Sequence, residues 1–295
     1  MDISDIAASL KSSSYAFVPR KDMLTLMTKN NAIDIQKFSK QFHQAWNQTT
    51  PQRSTEDNAE IYPYKGTLVS YHTIPTPPTS TVSQRITTNL QNHTELGRCT
   101  FEEVDNTTST TGNAAATYGR LHRCWPVSID TNPIQHALHA MISKLLTQPN
   151  EIGIDLDETE KNIPWECMQT AFRVTKSNQK HGEPGPEGIH QDACQLTVII
   201  LMDRTNVQLG SGGNRVWSLN QKNGKPTEED IASRRLLQKI VLTEQFDALF
   251  VLDRKVKHEA LPIELERREN EEDVAVRDVL TFEVRLPKNL EVSCQ

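Results

Sequence analysis

The sequence has no apolar run of the roughly 18 to 20 residues that a bilayer-spanning helix needs, so no segment reads as a membrane span. It has no CxxC pair. Its five cysteines, Cys99, Cys124, Cys167, Cys194 and Cys294, are odd in number and widely spaced. That pattern fits reduced thiols rather than a disulfide framework. Glycine and proline together make up only 27 of 295 residues, too few for a fibrous or low-complexity chain. There is no basic excess: 32 Lys and Arg stand against 38 Asp and Glu, a net charge of −6. Such a chain has no global electrostatic attraction to nucleic acid or anionic lipid. The opening MDISDIAASLKSSS has two early acids and lacks the apolar stretch of a secretion signal. The expectation is therefore a cytoplasmic protein whose sequons at Asn47, Asn92 and Asn106 stay unmodified.

What is present can bury a core: 36% of residues are hydrophobic and 24% charged. The first 60 or so residues read as helical, with Ile35, Phe38, Phe42 and Trp46 forming one apolar stripe. Extended character follows from Ile61, broken by prolines at Ile74-Pro75-Thr76-Pro77-Pro78. Residues Val104 to Ala116 are rich in Thr, Ser, Asn and Gly and read as a loop. Asn132-Pro133 opens a capped helix whose face is Ile134, Leu138, Met141 and Leu145. His136 and His139 on it have no third ligand nearby and read as surface histidines. Four β-like runs then follow: Met168–Val174, Cys194–Met202, Phe246–Leu252 and Asp278–Val284. A helical insertion, Thr227 to Ile240, separates the second from the third. No strand–helix alternation occurs, so the C-terminal half reads as an antiparallel β sandwich or barrel with helices packed outside.

The sharpest chemical signal is Pro186-Glu187-Gly188-Ile189-His190-Gln191-Asp192, just before the apolar run from Leu196. In extended chain, His190 and Asp192 leave the same face, so an imidazole and a carboxylate can meet one ion. His258, shortly after the run ending at Asp253, is the best third ligand. Two imidazoles and one carboxylate leave open positions, as in the facial triad of non-haem Fe(II) oxygenases. A bidentate 2-oxo acid and O2 would fill them. Arg277, at the head of the last run, suits the far carboxylate of such a co-substrate, since a guanidinium offers two parallel donors. Simpler readings exist for each. His190-x-Asp192 is compatible with a surface turn, His258 with a core histidine, and Arg277 with a structural pair to Glu259 or Asp278.

Four blocks in order resemble the 2OG-Fe dioxygenase family of free amino acid hydroxylases, L-isoleucine 4-hydroxylase-like. They are PEGIHQD, RTNVQLGSGGNRVW at Arg204–Trp217, FDALFVLDRKVKHEALPIE at Phe246–Glu264, and RDVLTFEV at Arg277–Val284. Trp165, Phe172-Arg173-Val174 and Tyr118-Gly119-Arg120 add to the likeness, which covers about residues 118–284. The resemblance implies a mainly β, α+β fold: a double-stranded β-helix, or jelly roll, with flanking N-terminal helices. It implies one domain over 1–295, residues 1–117 supporting a core at 118–295 that carries the insertion 227–240. It further implies Fe(II), 2-oxoglutarate and O2, with His190, Asp192 and His258 as iron ligands and Arg277 on the 2-oxoglutarate tail. The implied substrate is a small free L-amino acid. Glu187, Arg173, Arg204 and Asn206 are candidate contacts to substrate or co-substrate. The family pattern reads Arg-Asp-Gly after the first histidine, where this chain has Gln191-Asp192-Ala193.

The expected reaction is hydroxylation of an unactivated C–H bond. Desaturation or oxidative C–N ring closure is the alternative outcome. Two other classes compete: a zinc-dependent hydrolase on a cupin-like barrel, with Glu259 as base, and a non-catalytic binding module. The hydrolase has no use for Arg277. Gly210-Ser211-Gly212-Gly213 resembles a phosphate loop in composition only, and reads as a wide turn between strands. A homodimer is compatible with all of this.

Overall fold

A computed structural model of the chain describes residues 1–28, then most of 132–286, and between them the strands at 65–74, 84–85 and 123–124 with residues 36–37, 40–41 and 44. The expected stripe Ile35, Phe38, Phe42 and Trp46, the prolines 75, 77 and 78, and the loop 104–116 lie outside the described residues. Helix α1 (Ile3–Ser13) is capped by Asp2, and Ser14 ends it in the left-handed region. Helix α2 is Arg20–Thr28 and α3 is Pro133–Leu146, the latter capped by Asn132 with Pro133 at the first helical position. The strands are β1 (Tyr15–Val18), β2 (Lys65–Ile74), β3 (Gln84–Arg85), β4 (Arg123–Cys124), β5 (Trp165–Lys176), β6 (Leu196–Thr205), β7 (Asn214–Ser218), β8 (Leu236–Ile240), β9 (Ala248–Val251), β10 (Val256–Ala260) and β11 (Ala275–Arg285).

An eight-stranded sheet runs β1-β9-β6-β11-β5-β2-β3, with β4 beside β2. A smaller sheet runs β10-β7-β8. The large sheet is buried on both faces, which is why its central strands read as unbroken apolar runs. The two-residue side-chain period sorts them. Leu196, Val198 and Ile200 of β6, Ala248 and Phe250 of β9, and Leu280, Phe282 and Val284 of β11 pack with Ile6, Leu10, Ile134, Leu138 and Leu145 of the helices. Their neighbours Ile199, Leu201, Leu249, Val251 and Val279 point the other way, onto Val216, Ile240 and Val256 of the small sheet. Helices, large sheet and small sheet thus form three layers: the jelly-roll fold with outer helices.

Three expectations are corrected. The N-terminal segment is not helical throughout, because β1 stands between α1 and α2. Its backbone completes the exposed edge of β9, with Tyr15 opposite Val251 and Val18 opposite Ala248. The insertion is helical only over Glu228–Ala232, held by a Thr227–Asp230 capping box. From Leu236 the chain becomes β8 and pairs with β7, since a free sheet edge takes up a segment whose apolar spacing suits either form. His139 is no surface residue. It is 3% exposed, touches Gln135 and Gln169, and meets Phe282 edge-on with ring centroids 5.8 Å apart. His136 is exposed. Among the described residues, no helix is long and apolar enough to cross a membrane.

Candidate metal centre and co-substrate cleft

The site begins at a glycine. Gly188 has φ +61°, and a Cβ there would stand 2.5 Å from the carbonyl carbon and oxygen of Gly224. Only glycine allows that approach. It lets Ile189 and Gly224 exchange backbone hydrogen bonds of 2.8 and 2.9 Å. One residue on, His190 and His258 exchange theirs, at 2.9 and 3.0 Å. The segment 188–190 therefore extends the small sheet beyond β10, and the two histidines become cross-strand partners. Their ring centroids are 4.4 Å apart.

Asp192 closes the group. Its Oδ1 lies 3.4 Å from His190 Nε2 and its Oδ2 lies 3.2 Å from His258 Nε2. One ligand atom from each of the three residues lies within 4.8 Å of the others. The opposite ring nitrogens are engaged too. His190 Nδ1 is 2.9 Å from the Gly188 carbonyl, which can only accept, so Nδ1 donates there and Nε2 is the nitrogen turned toward Asp192. His258 Nδ1 faces Asp253 Oδ1 at 3.3 Å. Asp253 is 0% exposed, and its backbone carbonyl accepts from the Gln191 amide. Gln191 stands where the family pattern has arginine, and here it ties the ligand loop to the residue behind His258.

Burial disfavours the charged form of Asp192, yet His258 and His190 hold its carboxyl well below the usual range. Burial likewise opposes charge on His258, but Asp192 and Asp253 outweigh it and raise the imidazole to about 10. Thr197 donates to Asp192 Oδ2 at 3.3 Å. Glu283, on the inward face of β11, is pushed well up, first by burial and then by Asp192 and Asp253. Neither Asp253, Thr197 nor Glu283 was marked by the sequence. Asp253 left one faint signal, as an acid ending an apolar strand five residues before His258.

Arg277 shares the face of β11 that carries Val279, Thr281 and Glu283, so it points between the sheets. It is 2% exposed, and its Nε and Nη2 are buried without a hydrogen-bond partner among the described residues. Burial, and Arg204 opposite it, lower this guanidinium to about 10. The structural pair to Glu259 or Asp278 does not form. Glu259 is taken by Arg215 and by Trp217 Nε1, at 3.3 and 3.2 Å. Asp278 is taken by Arg173, whose Nε and Nη2 reach its two oxygens at 2.8 and 2.6 Å.

That last pair removes one expectation. Arg173 lies opposite Asp278 in the ladder, hence on the face that turns away from Arg277 and the triad, and its fork is filled by a carboxylate of the chain itself. Asn206 is also committed elsewhere: in the left-handed region at φ +52°, its amide brackets the backbone of Arg267. Glu187 is half-buried beside the Gly188 turn. Arg204 pairs directly across from Arg277.

The donor set fits a divalent iron with open positions, and an unpartnered guanidinium in the same interior fits a dicarboxylate co-substrate. Residues 126–283 match the 2OG-Fe dioxygenase family. No curated protein matches the chain. Solved structures resemble it over nearly its whole length at low identity. The Fe(II)/α-ketoglutarate-dependent dioxygenase TqaL shares 16% identity at a TM-score of 0.63, covering 97% of this chain and 87% of its own. A bsmA homologue from Methylobium petroleophilum PM1 shares 15% at 0.68, covering 97% and 94%. IDO from Bacillus thuringiensis shares 14% at 0.60, covering 98% and 97%.

Proposed function

The chain belongs to the 2OG-Fe dioxygenase family, an enzyme using Fe(II), 2-oxoglutarate and O2, and from that premise we propose that it hydroxylates an unactivated C–H bond of a small free L-amino acid. The substrate is aliphatic, of the isoleucine, valine or leucine kind. His190, Asp192 and His258 hold the iron, and Arg277 grips the 2-oxoglutarate tail. The observation that carries this assignment is the convergence of three ligand atoms within 4.8 Å, in a sheet sandwich whose interior also holds a buried guanidinium with two donor nitrogens unpartnered among the described residues. The zinc-hydrolase reading has no place for Arg277, and Glu259, its one candidate base, is already held by Arg215 and Trp217.

When bound, Fe(II) and 2-oxoglutarate together supply the oxidant made from O2, the co-substrate leaving as succinate and CO2. The chain's own residues do the rest. Gly188 and Asp253 fix the two imidazoles so that Nε2 of each faces the ion. Thr197 holds the Asp192 carboxylate in its bridging pose. The apolar plug of Ile199, Leu201 and Val279 keeps water from the sheet interior. The amino-acid preference rests on the sequence blocks that carry the resemblance. Desaturation or ring closure would need the same site and a different seat for the substrate.

The test is incubation of the iron-loaded enzyme with 2-oxoglutarate, O2 and a pool of the common amino acids, reading succinate and product masses. A product heavier by one oxygen atom is expected. One lighter by two hydrogens means desaturation or cyclisation, and succinate release with no amino acid altered would reject the substrate class. His190→Ala is expected to lose iron binding and turnover together. Turnover surviving in that variant would reject the ligand assignment.

A further inference from the structure

Resting on the co-substrate reading above, we propose that Arg204 is a second carboxylate-binding arm beside Arg277. The tail of 2-oxoglutarate is then held between two guanidiniums, and Gly212 keeps the room between them.

Arg204 and Arg277 are direct partners in the β6–β11 ladder, so they rise from the same face with Cβ atoms about 5 Å apart. Like charges so placed repel. Neighbouring acids relieve them only in part and through space, Asp278 acting on Arg277 and Glu266 on Arg204. Asp278 lies on the opposite face with Arg173, and Asp203 receives the Arg204 backbone amide and the Thr205 hydroxyl. Glu266 reaches Arg204 only through space, and burial leaves that guanidinium below its ordinary range.

The geometry of Arg204 is fixed by its turn. Its Nη2 donates to the carbonyls of Gln208 and Ser211 at 2.7 and 3.0 Å. That locks the guanidinium plane and leaves Nη1 buried with no partner among the described residues. Arg277 Nε and Nη2 are in the same condition. Among the described residues three buried donor nitrogens thus face no acceptor, and burying a donor without one is costly. A carboxylate has two oxygens and about four lone-pair directions, enough for all three.

Gly212 completes the seat. It has φ +61°, and a Cβ there would meet Ile263 Cγ2 at 2.5 Å, Arg277 Cδ at 3.2 Å and Arg204 Nη1 at 3.5 Å. Any side chain would press on the stem of one arginine and the open edge of the other. A 2-oxo acid without a second carboxylate, such as pyruvate, would chelate the metal and leave this seat unused.

The experiment titrates the Mn(II)-loaded protein with 2-oxoglutarate and, separately, with pyruvate, by calorimetry. Arg204→Met is expected to weaken 2-oxoglutarate roughly tenfold to a hundredfold, the range of one charge-assisted hydrogen bond, and to leave pyruvate and Mn(II) affinity unchanged. Arg204→Lys should fall between, since an ammonium cannot serve the turn carbonyls and the ligand at once. Gly212→Ala should weaken 2-oxoglutarate alone. Wild-type affinity in Arg204→Met overturns the proposal, as does equal loss of both acids, which would mark a general distortion. If Arg204→Met does not fold, unchanged affinity in both Arg204→Lys and Gly212→Ala overturns it. The underlying reading is judged separately: loss in Arg277→Met with none in Arg204→Met keeps it and discards the second arm, while wild-type protein that binds no 2-oxoglutarate discards both.

Discussion

Asp253 illustrates how a residue acts at one remove. It is buried, ligates nothing in the triad, and faces the rear nitrogen of His258 at 3.3 Å. A carboxylate there orients the ring and raises its basicity as a ligand. Asp253→Leu is expected to weaken metal binding by about tenfold to a hundredfold, with Asp253→Asn milder because an amide oxygen still accepts. A competition titration against a chelator reads both, and equal affinity in all three proteins would refute the role. The convergence of His190 and Asp192 was legible because His-x-Asp is a local pattern with a fixed strand geometry, and His258 joins them across the backbone bridge to His190. Asp253 and Gly212 were not. Their meaning arises from Asp253 meeting His258 and from Gly212 lying against Arg277 and Ile263, contacts the fold creates.

The pair across β5 and β11 sets a different test. Asp278 is fully buried and held bidentately by Arg173, whose side chain is 23% exposed. Removing Arg173 takes the bidentate partner from a buried charge. Arg173→Met is therefore expected to cost about 3 kcal/mol, and replacing both partners by apolar residues to recover most of it. Denaturant melts with unchanged slope would check this. On β6, Val198 packs under the helices and Ile199 into the sandwich, so Val198→Ala and Ile199→Ala are each expected to cost about 1–4 kcal/mol. The central strands were readable because double burial makes them continuously apolar. The β10 strand was not, since Val256-Lys257-His258-Glu259-Ala260 mixes charge with short apolar residues and is a strand only because β7 lies beside it. β8 escaped for the same reason, and β1, four apolar residues between two helices, is too short to show a period.

The molecule divides its labour between layers. The larger apolar cluster joins α1, α2 and α3 to the outer face of the large sheet and contains none of the triad. The triad, Glu283 and Arg277 lie instead between the sheets. Chelator-treated protein is thus expected to keep its secondary structure and to melt cooperatively. Adding Mn(II) at about a hundred times its dissociation constant is expected to stabilise it by about 2.7 kcal/mol, and 2-oxoglutarate at the same excess by about as much again. Circular dichroism with and without chelator reads both effects, and an unfolded metal-free protein would contradict this division.

The backbone bridge between residues 190 and 258 has a consequence for how such a protein can change. The spacing of the two imidazoles is inherited from peptide groups bonded to each other, and main chain is indifferent to which side chains surround it. Substitutions around the mouth can redirect what enters without altering the bite of the coordinating pair. Libraries diversified there should yield new preferences while retaining metal occupancy, so that selectivity drifts on a chassis that holds still.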